Sequence, residues 1–304
     1  MWKADMDAGW LPPVDAWQSR FVEADQPRVC LYLGAQAGEA EQATCVIDAL
    51  LPALETVDAE RGFFVDSNGF FNSVLVLYWP SLAEYDSYWA EGSAAASWWE
   101  TAKKRALHYG IWRERFSVAP DRFETLFSQK CPRGIGAFSS NLGEPVLQHG
   151  YWGSMRDRIA ASEHDPLDSL CLIRSGQDWS ACDDEERSQY DRSVLPSLIE
   201  GMNFLRDNSD ETGCQSCRFV TETKLDQTPL ERSFGVAAFR SLAHLERWAH
   251  THETHLNIFN SFMGMVGSRG GKTDLSLWHE VFVLDPANCS FEYVNCHAAT
   301  GIGS

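Results

Sequence analysis

Ser241-Leu242-Ala243-His244-Leu245-Glu246-Arg247-Trp248-Ala249-His250 restates, at an offset of 160, the pattern of Ser81-Leu82-Ala83-Glu84-Tyr85-Asp86-Ser87-Tyr88-Trp89-Ala90. Each copy follows a strand-like run, Ser73–Trp79 in one and Ser233–Phe239 in the other. Downstream, Trp112-Arg113-Glu114-Arg115-Phe116 answers Trp278-His279-Glu280-Val281-Phe282. Upstream, Leu51-Pro52-Ala53-Leu54 answers Leu195-Pro196-Ser197-Leu198. Three matches in the same order are the mark of an internal duplication.

The pattern predicts strand, helix, strand, helix, strand in each half. Strands are expected near 28–33, 72–79 and 109–118, with an additional one at 123–128. Helices are expected over 39–56 and 82–105 between them. The second half predicts strands at 170–174, 217–223, 232–239, 275–284 and 291–295, with long helices over 183–206 and 242–266. Alternating β-branched and aromatic residues support the strands, and spacings of three and four support the helices. Short strands alternating with amphipathic helices, in duplicate, predict an α+β fold. It takes the form of two tandem ferredoxin-like repeats in pseudo-twofold relation, like a dimeric α+β barrel. The repeats are placed at 1–128 and 129–304.

Composition narrows the function. The chain has 304 residues and carries 43 acidic against 25 basic side chains, a net charge of −18. That balance repels phosphate backbones and anionic lipid, which argues against nucleic-acid and membrane-surface partners. No run reaches the length of a membrane span, and the N-terminus has no apolar leader. Nine scattered cysteines, an odd number, suit reduced thiols in a cytoplasmic protein. Twelve Trp and seventeen Phe suggest a large, flat, well-lined interior space.

Within the second half, Leu245, Trp248, His252, His255, Phe259 and Phe262 recur along one helical face. An imidazole on such a stripe is either a core histidine with a satisfied hydrogen bond or an axial ligand for an iron porphyrin, whose flat apolar body needs a greasy wall. His279 lies on a strand expected beside that helix, so His255 and His279 would flank one pocket. The first half has Arg113 in place of His279 and small residues, Ala94–Ala96, near the place of His255. A zinc site among His244, His250, His252 and His255 is the competing reading, but it has no Cys or carboxylate at a familiar spacing. Cys214-Gln215-Ser216-Cys217 is a lone pair whose spacing reads as accidental.

Five longer segments carry a family likeness. They are His149-Gly150-Tyr151-Trp152-Gly153-Ser154-Met155-Arg156-Asp157-Arg158, Leu172-Ile173-Arg174-Ser175-Gly176-Gln177-Asp178-Trp179, Gly201-Met202-Asn203-Phe204-Leu205-Arg206-Asp207, Thr254-His255-Leu256-Asn257-Ile258-Phe259 and Tyr293-Val294-Asn295-Cys296-His297. Together, in order from about residue 30 to the end, they resemble the aldoxime dehydratases, haem-containing lyases that turn R–CH=N–OH into a nitrile and water. The resemblance implies a b-type haem, ferrous in the active state and seated in the C-terminal half, with His255 as its proximal ligand. It implies His279 as distal acid–base, Ser175 and Arg158 as binders of the oxime oxygen, and Glu124 as a further residue near the site. A small aldoxime would be the substrate of a monomer or homodimer. Two rivals are a peroxidase or chlorite-dismutase-like haem enzyme and a non-catalytic haem-binding protein. The segment between Ile159 and Ser169 is shorter than the family's, as are both termini, which bears on catalysis more than on fold.

Overall fold

The computed structural model describes residues 15–21, 26–54, 57–139, 141–146 and 169–302. In chain order the elements are β1 (Arg28–Ala37), α1 (Ala40–Asp48), β2 (Asp58–Val65), β3 (Phe71–Trp79), α2 (Leu82–Tyr88), α3 (Ala94–Arg105), β4 (Gly110–Val118) and β5 (Phe123–Phe127). Then follow β6 (Leu170–Asp178), α4 (Asp184–Gln189), α5 (Leu195–Asp207), α6 (Ser209–Thr212), β7 (Cys214–Thr223), β8 (Pro229–Phe239), α7 (Leu242–Thr251), α8 (Glu253–Ser268), β9 (Ser276–Leu284) and β10 (Cys289–Val294). The mixed α/β composition and antiparallel pairing agree with the expected class. Among the described residues, no helix is long and apolar enough to cross a membrane.

The chain forms two compact units. The first takes residues 25–120, 220–230 and 284–304, and the second takes 1–24, 121–219 and 231–283.

In the first unit the strand order is β10-β4-β1-β3-β2, with the end of β7 added beside β2. β1 is central and buried along its whole length. Its Val29, Leu31, Leu33 and Ala35 point into a core shared with Ala43 and Ile47 of α1 and Trp99 of α3. The opposite face holds Gly34, where a methyl group would collide with the indole of Trp112.

In the second unit the order is β7-β8-β6-β9-β5. A core of Leu198, Met202 and Leu205 from α5 with Leu245, Trp248 and Ala249 from α7 packs on Cys171 of β6, Ala237 and Phe239 of β8, and Val281 and Val283 of β9. One face of the sheet is therefore covered by helices. On the other face, a methyl group at Gly176 would meet Trp278, as at Gly34 and Trp112.

Four expectations are corrected. The helix read as 82–105 is two, because Ser93 takes an extended backbone and its hydroxyl accepts from Ala96 N, starting α3 afresh. The helix read as 242–266 breaks at His252, whose backbone is extended and whose ring caps α8 by accepting from Thr254 N. The helix read as 183–206 contains a π-helical turn at Tyr190–Val194 between α4 and α5. β2 is a further strand, hidden by the polar run Asp58-Ala59-Glu60-Arg61.

Candidate functional site

The register of the second unit decides which side chains can meet. Residues directly opposite in an antiparallel ladder point to the same face, and alternate residues share it. Val281 belongs to the helix-covered core, so His279, two residues back, lies on that face too. Leu126 pairs with His279 and Glu124 with Val281, which puts Glu124 on the same face. Cys171 packs in that core with Ile173 against it, and Ser175 continues their row on β6 opposite Gly235. α8 brings His255 over this layer, its ring edge-on to Trp248 at 4.8 Å between centroids. His255, His279, Ser175 and Glu124 thus share one layer of one unit. Arg158 lies outside the described residues.

Neighbours in sequence divide by the same parity. Arg174, next to Ser175, is fully buried on the opposite face, its guanidinium 3.8 Å from the ring centre of Phe234 and 4.7 Å from that of Trp278. Glu280, next to His279, accepts there from Ile135 N at 3.0 Å.

The two histidines are electrically alike. Burial holds His279 down to about 4. Burial holds His255 down to about 4, and the nearness of His279 adds to the effect. Each ring keeps a partial opening to solvent although protein surrounds it. At neutral pH both imidazoles are uncharged, which is the form that ligates a metal. Glu124 accepts from Gln18 Nε2 at 2.6 Å. Among the described residues nothing hydrogen-bonds the Ser175 hydroxyl, which leaves it available to a ligand.

His252 and His244 have structural work. His252 Nδ1 accepts from Thr254 N while Nε2 lies 3.1 Å from Glu211, so the ring that shared the apolar stripe is a helix cap. His244 Nδ1 is 2.7 Å from the Ser241 hydroxyl at the start of α7. Among the described residues, no three His, Cys, Asp or Glu side chains gather as a metal cage. Cys214 and Cys217 are buried, and the hydrogen bond with Cys214, together with burial, raises the Cys217 thiol well above its usual range. The buried thiol is therefore a packing residue, not a nucleophile.

A haem fits this donor set. One neutral imidazole, with no cage of His, Cys, Asp or Glu gathered around it among the described residues, suits an iron whose equatorial ligands come from its own macrocycle. The same side of α8 presents Leu256 and Phe259, 37% and 46% exposed, as an apolar surface that a flat ring would cover. A groove of about 830 Å³ opens nearby, lined by Phe262, Ser128, Asp183, Arg269, Lys272 and Asp274 among others. It contains neither histidine and its walls are mainly polar, so the imidazole layer, not this groove, marks the chemistry.

Sequence reasoning missed two partners of the site. Gln177 stands two residues beyond Ser175, and strand parity alone would have put it on the same face. Trp248 was recognised as apolar but not as the ring that orients His255.

Known proteins resemble this chain in sequence and fold. The family described as haem-containing dehydratase matches residues 31–169 and 166–302. An aliphatic aldoxime dehydratase of Rhodococcus erythropolis is 34% identical over 325 aligned positions, covering 96% of this chain and 91% of that protein. A phenylacetaldoxime dehydratase of Bacillus sp. (strain OxB-1) is 31% identical, covering 95% and 91%. The first alignment spans more positions than this chain has residues, so the relative carries residues that this chain lacks. A crystal structure of an aldoxime dehydratase in complex with butyraldoxime superposes with a TM-score of 0.86 at 34% identity, covering 96% of this chain and 89% of that one. With its fold and nearly its whole length matched, the chain belongs to the haem-containing dehydratase family.

Proposed function

We propose that the protein is an aldoxime dehydratase, converting R–CH=N–OH to R–C≡N and water at a b-type haem held by His255. The observation that carries this reading is the shared layer: a neutral imidazole on α8 faces the row that bears Ser175, His279 and Glu124. When bound, a ferrous haem would supply an iron centre to receive the oxime nitrogen and electron density for breaking the N–O bond.

The protein's part is proton management. Hydroxide is a poor leaving group, so the oxime oxygen must be protonated as it departs. His279 in its acid form gives that proton, then takes one back from the aldoxime carbon, so its charge is restored each turnover. Burial works against the acid form, and we assign to Glu124, a carboxylate on the same sheet face, the task of favouring it. The free hydroxyl of Ser175 and the guanidinium of Arg158 hold the oxime oxygen in line.

The same reading accounts for the architecture as two ferredoxin-like copies divided near residue 128, only one of which kept a haem site. The strand orders support it: β10-β4-β1-β3-β2 in one unit corresponds to β5-β9-β6-β8-β7 in the other. So do the matched collisions of Gly34 with Trp112 and of Gly176 with Trp278, and the matched serine caps of α2 and α7. Where the second copy has His279, the first has Arg113, whose guanidinium lies over Trp99 at 4.4 Å and pairs with Glu292. Trp99 is buried, whereas Phe259, its counterpart at the offset of 160, stands 46% exposed. The first copy has filled with protein the place that the second leaves open.

The test is nitrile release by dithionite-reduced, haem-loaded protein given butyraldoxime. Turnover of peroxide or chlorite by the ferric protein, with no nitrile from the ferrous one, would replace this reading with the peroxidase-like rival.

A further inference from the structure

Behind Ser175 runs a line of buried polar side chains that neither the packing nor the proton steps above require. Tyr190 is fully buried, opens the π-helical turn Tyr190–Val194, and stacks on Trp179 with centroids 5.1 Å apart. Ser233, also buried, donates its hydroxyl proton to Gln177 Oε1 at 3.0 Å. Gln177 Nε2 in turn donates to the carbonyl of Ser175 at 3.1 Å. Gln177 pairs with Ser233 and Ser175 with Gly235 in the β6–β8 ladder, so all of these groups share the helix-covered face.

The Tyr190 hydroxyl is the odd member. It is buried without a well-formed hydrogen bond among the described residues, yet Ser233 lies close enough to favour its ionised form. Burial raises this phenol above its usual range, so it stays a proton donor at any working pH. A Ser233 oxygen that gives its own proton to Gln177 still has lone pairs for a Tyr190 O–H. A Tyr190 O–H turned onto that oxygen would complete a chain of four groups with every donor pointing the same way, ending on the Ser175 backbone. A buried hydroxyl without a partner is a net cost that phenylalanine would avoid, and π turns are a recurring way to re-aim one side chain.

We propose that Tyr190 is a positioning residue for the dehydration site, acting through Ser233 and Gln177 to fix the Ser175 carbonyl and hence the aim of its hydroxyl. The Ser175 hydroxyl has no protein partner among the described residues, so its backbone and rotamer alone direct it. The proposal rests on the role given to Ser175 above.

The experiment compares haem-loaded Tyr190→Phe, Ser233→Ala, Ser233→Thr and Ser175→Ala with the parent protein. It measures kcat and KM on butyraldoxime, the Soret absorbance per chain, and the melting temperature. Tyr190→Phe and Ser233→Ala are expected to lower kcat roughly tenfold, because small misplacements of aligned groups are costly. KM, haem content and melting temperature should hold, and Ser233→Thr should restore kcat. The double variant Tyr190→Phe/Ser175→Ala should be no slower than Ser175→Ala alone, since both changes act at one point. Parent-like kcat in Tyr190→Phe, a loss that tracks haem or melting temperature, or a further loss in the double variant each overturns the proposal. If Ser175→Ala is slow while Tyr190→Phe is not, the relay fails and the Ser175 role stands; if Ser175→Ala is parent-like, both fail.

Discussion

The indole of Trp248 meets the ring of His255 at 66° with centroids 4.8 Å apart, while its Nε1 donates to the Thr254 hydroxyl at 3.0 Å. Thr254 is itself tied to the cap residue His252. The orientation of His255, the proposed haem ligand, is therefore set through a side chain from the preceding helix, held by the first turn of its own.

His255→Ala should abolish stoichiometric haem binding, read as loss of the Soret band in purified protein. Thr254→Val keeps the ligand but frees Trp248, and should weaken haem affinity roughly 10- to 100-fold, as loss of a group that orients a metal ligand does elsewhere. Haem titration of the apoprotein measures both, and full haem content in His255→Ala would sink the ligand assignment.

His279→Ala should keep its haem and lose nitrile formation by roughly 10²–10⁴-fold, the usual contribution of a positioned acid–base group. Glu124→Gln should produce a milder loss that is partly recovered at lower pH, because its proposed task is to favour the acid form of His279. The pH–rate profiles of parent and variant separate the two roles.

Acid should act on the apoprotein before it unfolds the rest. His255 and His279 are held down to about 4 in the fold, against an ordinary value near 6.5. Unfolded chains therefore bind more protons between those values, and this contribution to stability is complete above about 6.5 and lost as pH falls toward about 4. Urea midpoints of apoprotein at pH 7 and pH 5 should differ, and a His255→Ala/His279→Ala double variant should show a smaller difference. In the loaded protein, protonation of His255 competes with the iron, so the Soret band should collapse at the acid end.

His252→Ala removes the cap of α8 and should cost about 1 kcal/mol. The Soret position should remain unchanged, since His252 caps a helix and does not face the iron. A shifted axial-ligand spectrum would return His252 to the ligand list.

Much of this architecture is readable because the sequence writes similar patterns twice. The Ser81 and Ser241 caps, and the tryptophans at 112 and 278, announce themselves by recurrence. The break at His252 was not readable, because an imidazole cap sits in the same apolar rhythm as a buried ligand and only its bonds to Thr254 and Glu211 tell them apart. β2 was hidden because Asp58, Glu60 and Arg61 look like a loop, although Arg61 is buried in an ion pair with Asp48. Glu124 and His279 are far apart in sequence, and only the β5–β9 register puts them on one face.

That register also bears on the proposed duplication. β5 precedes residue 128 yet completes the sheet of the second unit, while β10, near the C-terminus, completes the sheet of the first. On that proposal the copies have traded their closing strands, and neither is expected to fold as a self-sufficient module. Fragments cut at residue 128 would each leave a raw sheet edge, and should be recovered only as a complementing pair. On the same proposal Glu124 is a gift from the repeat without a haem site. The seemingly idle copy would thereby be a co-author of the active one, and selection on dehydration would reach into both.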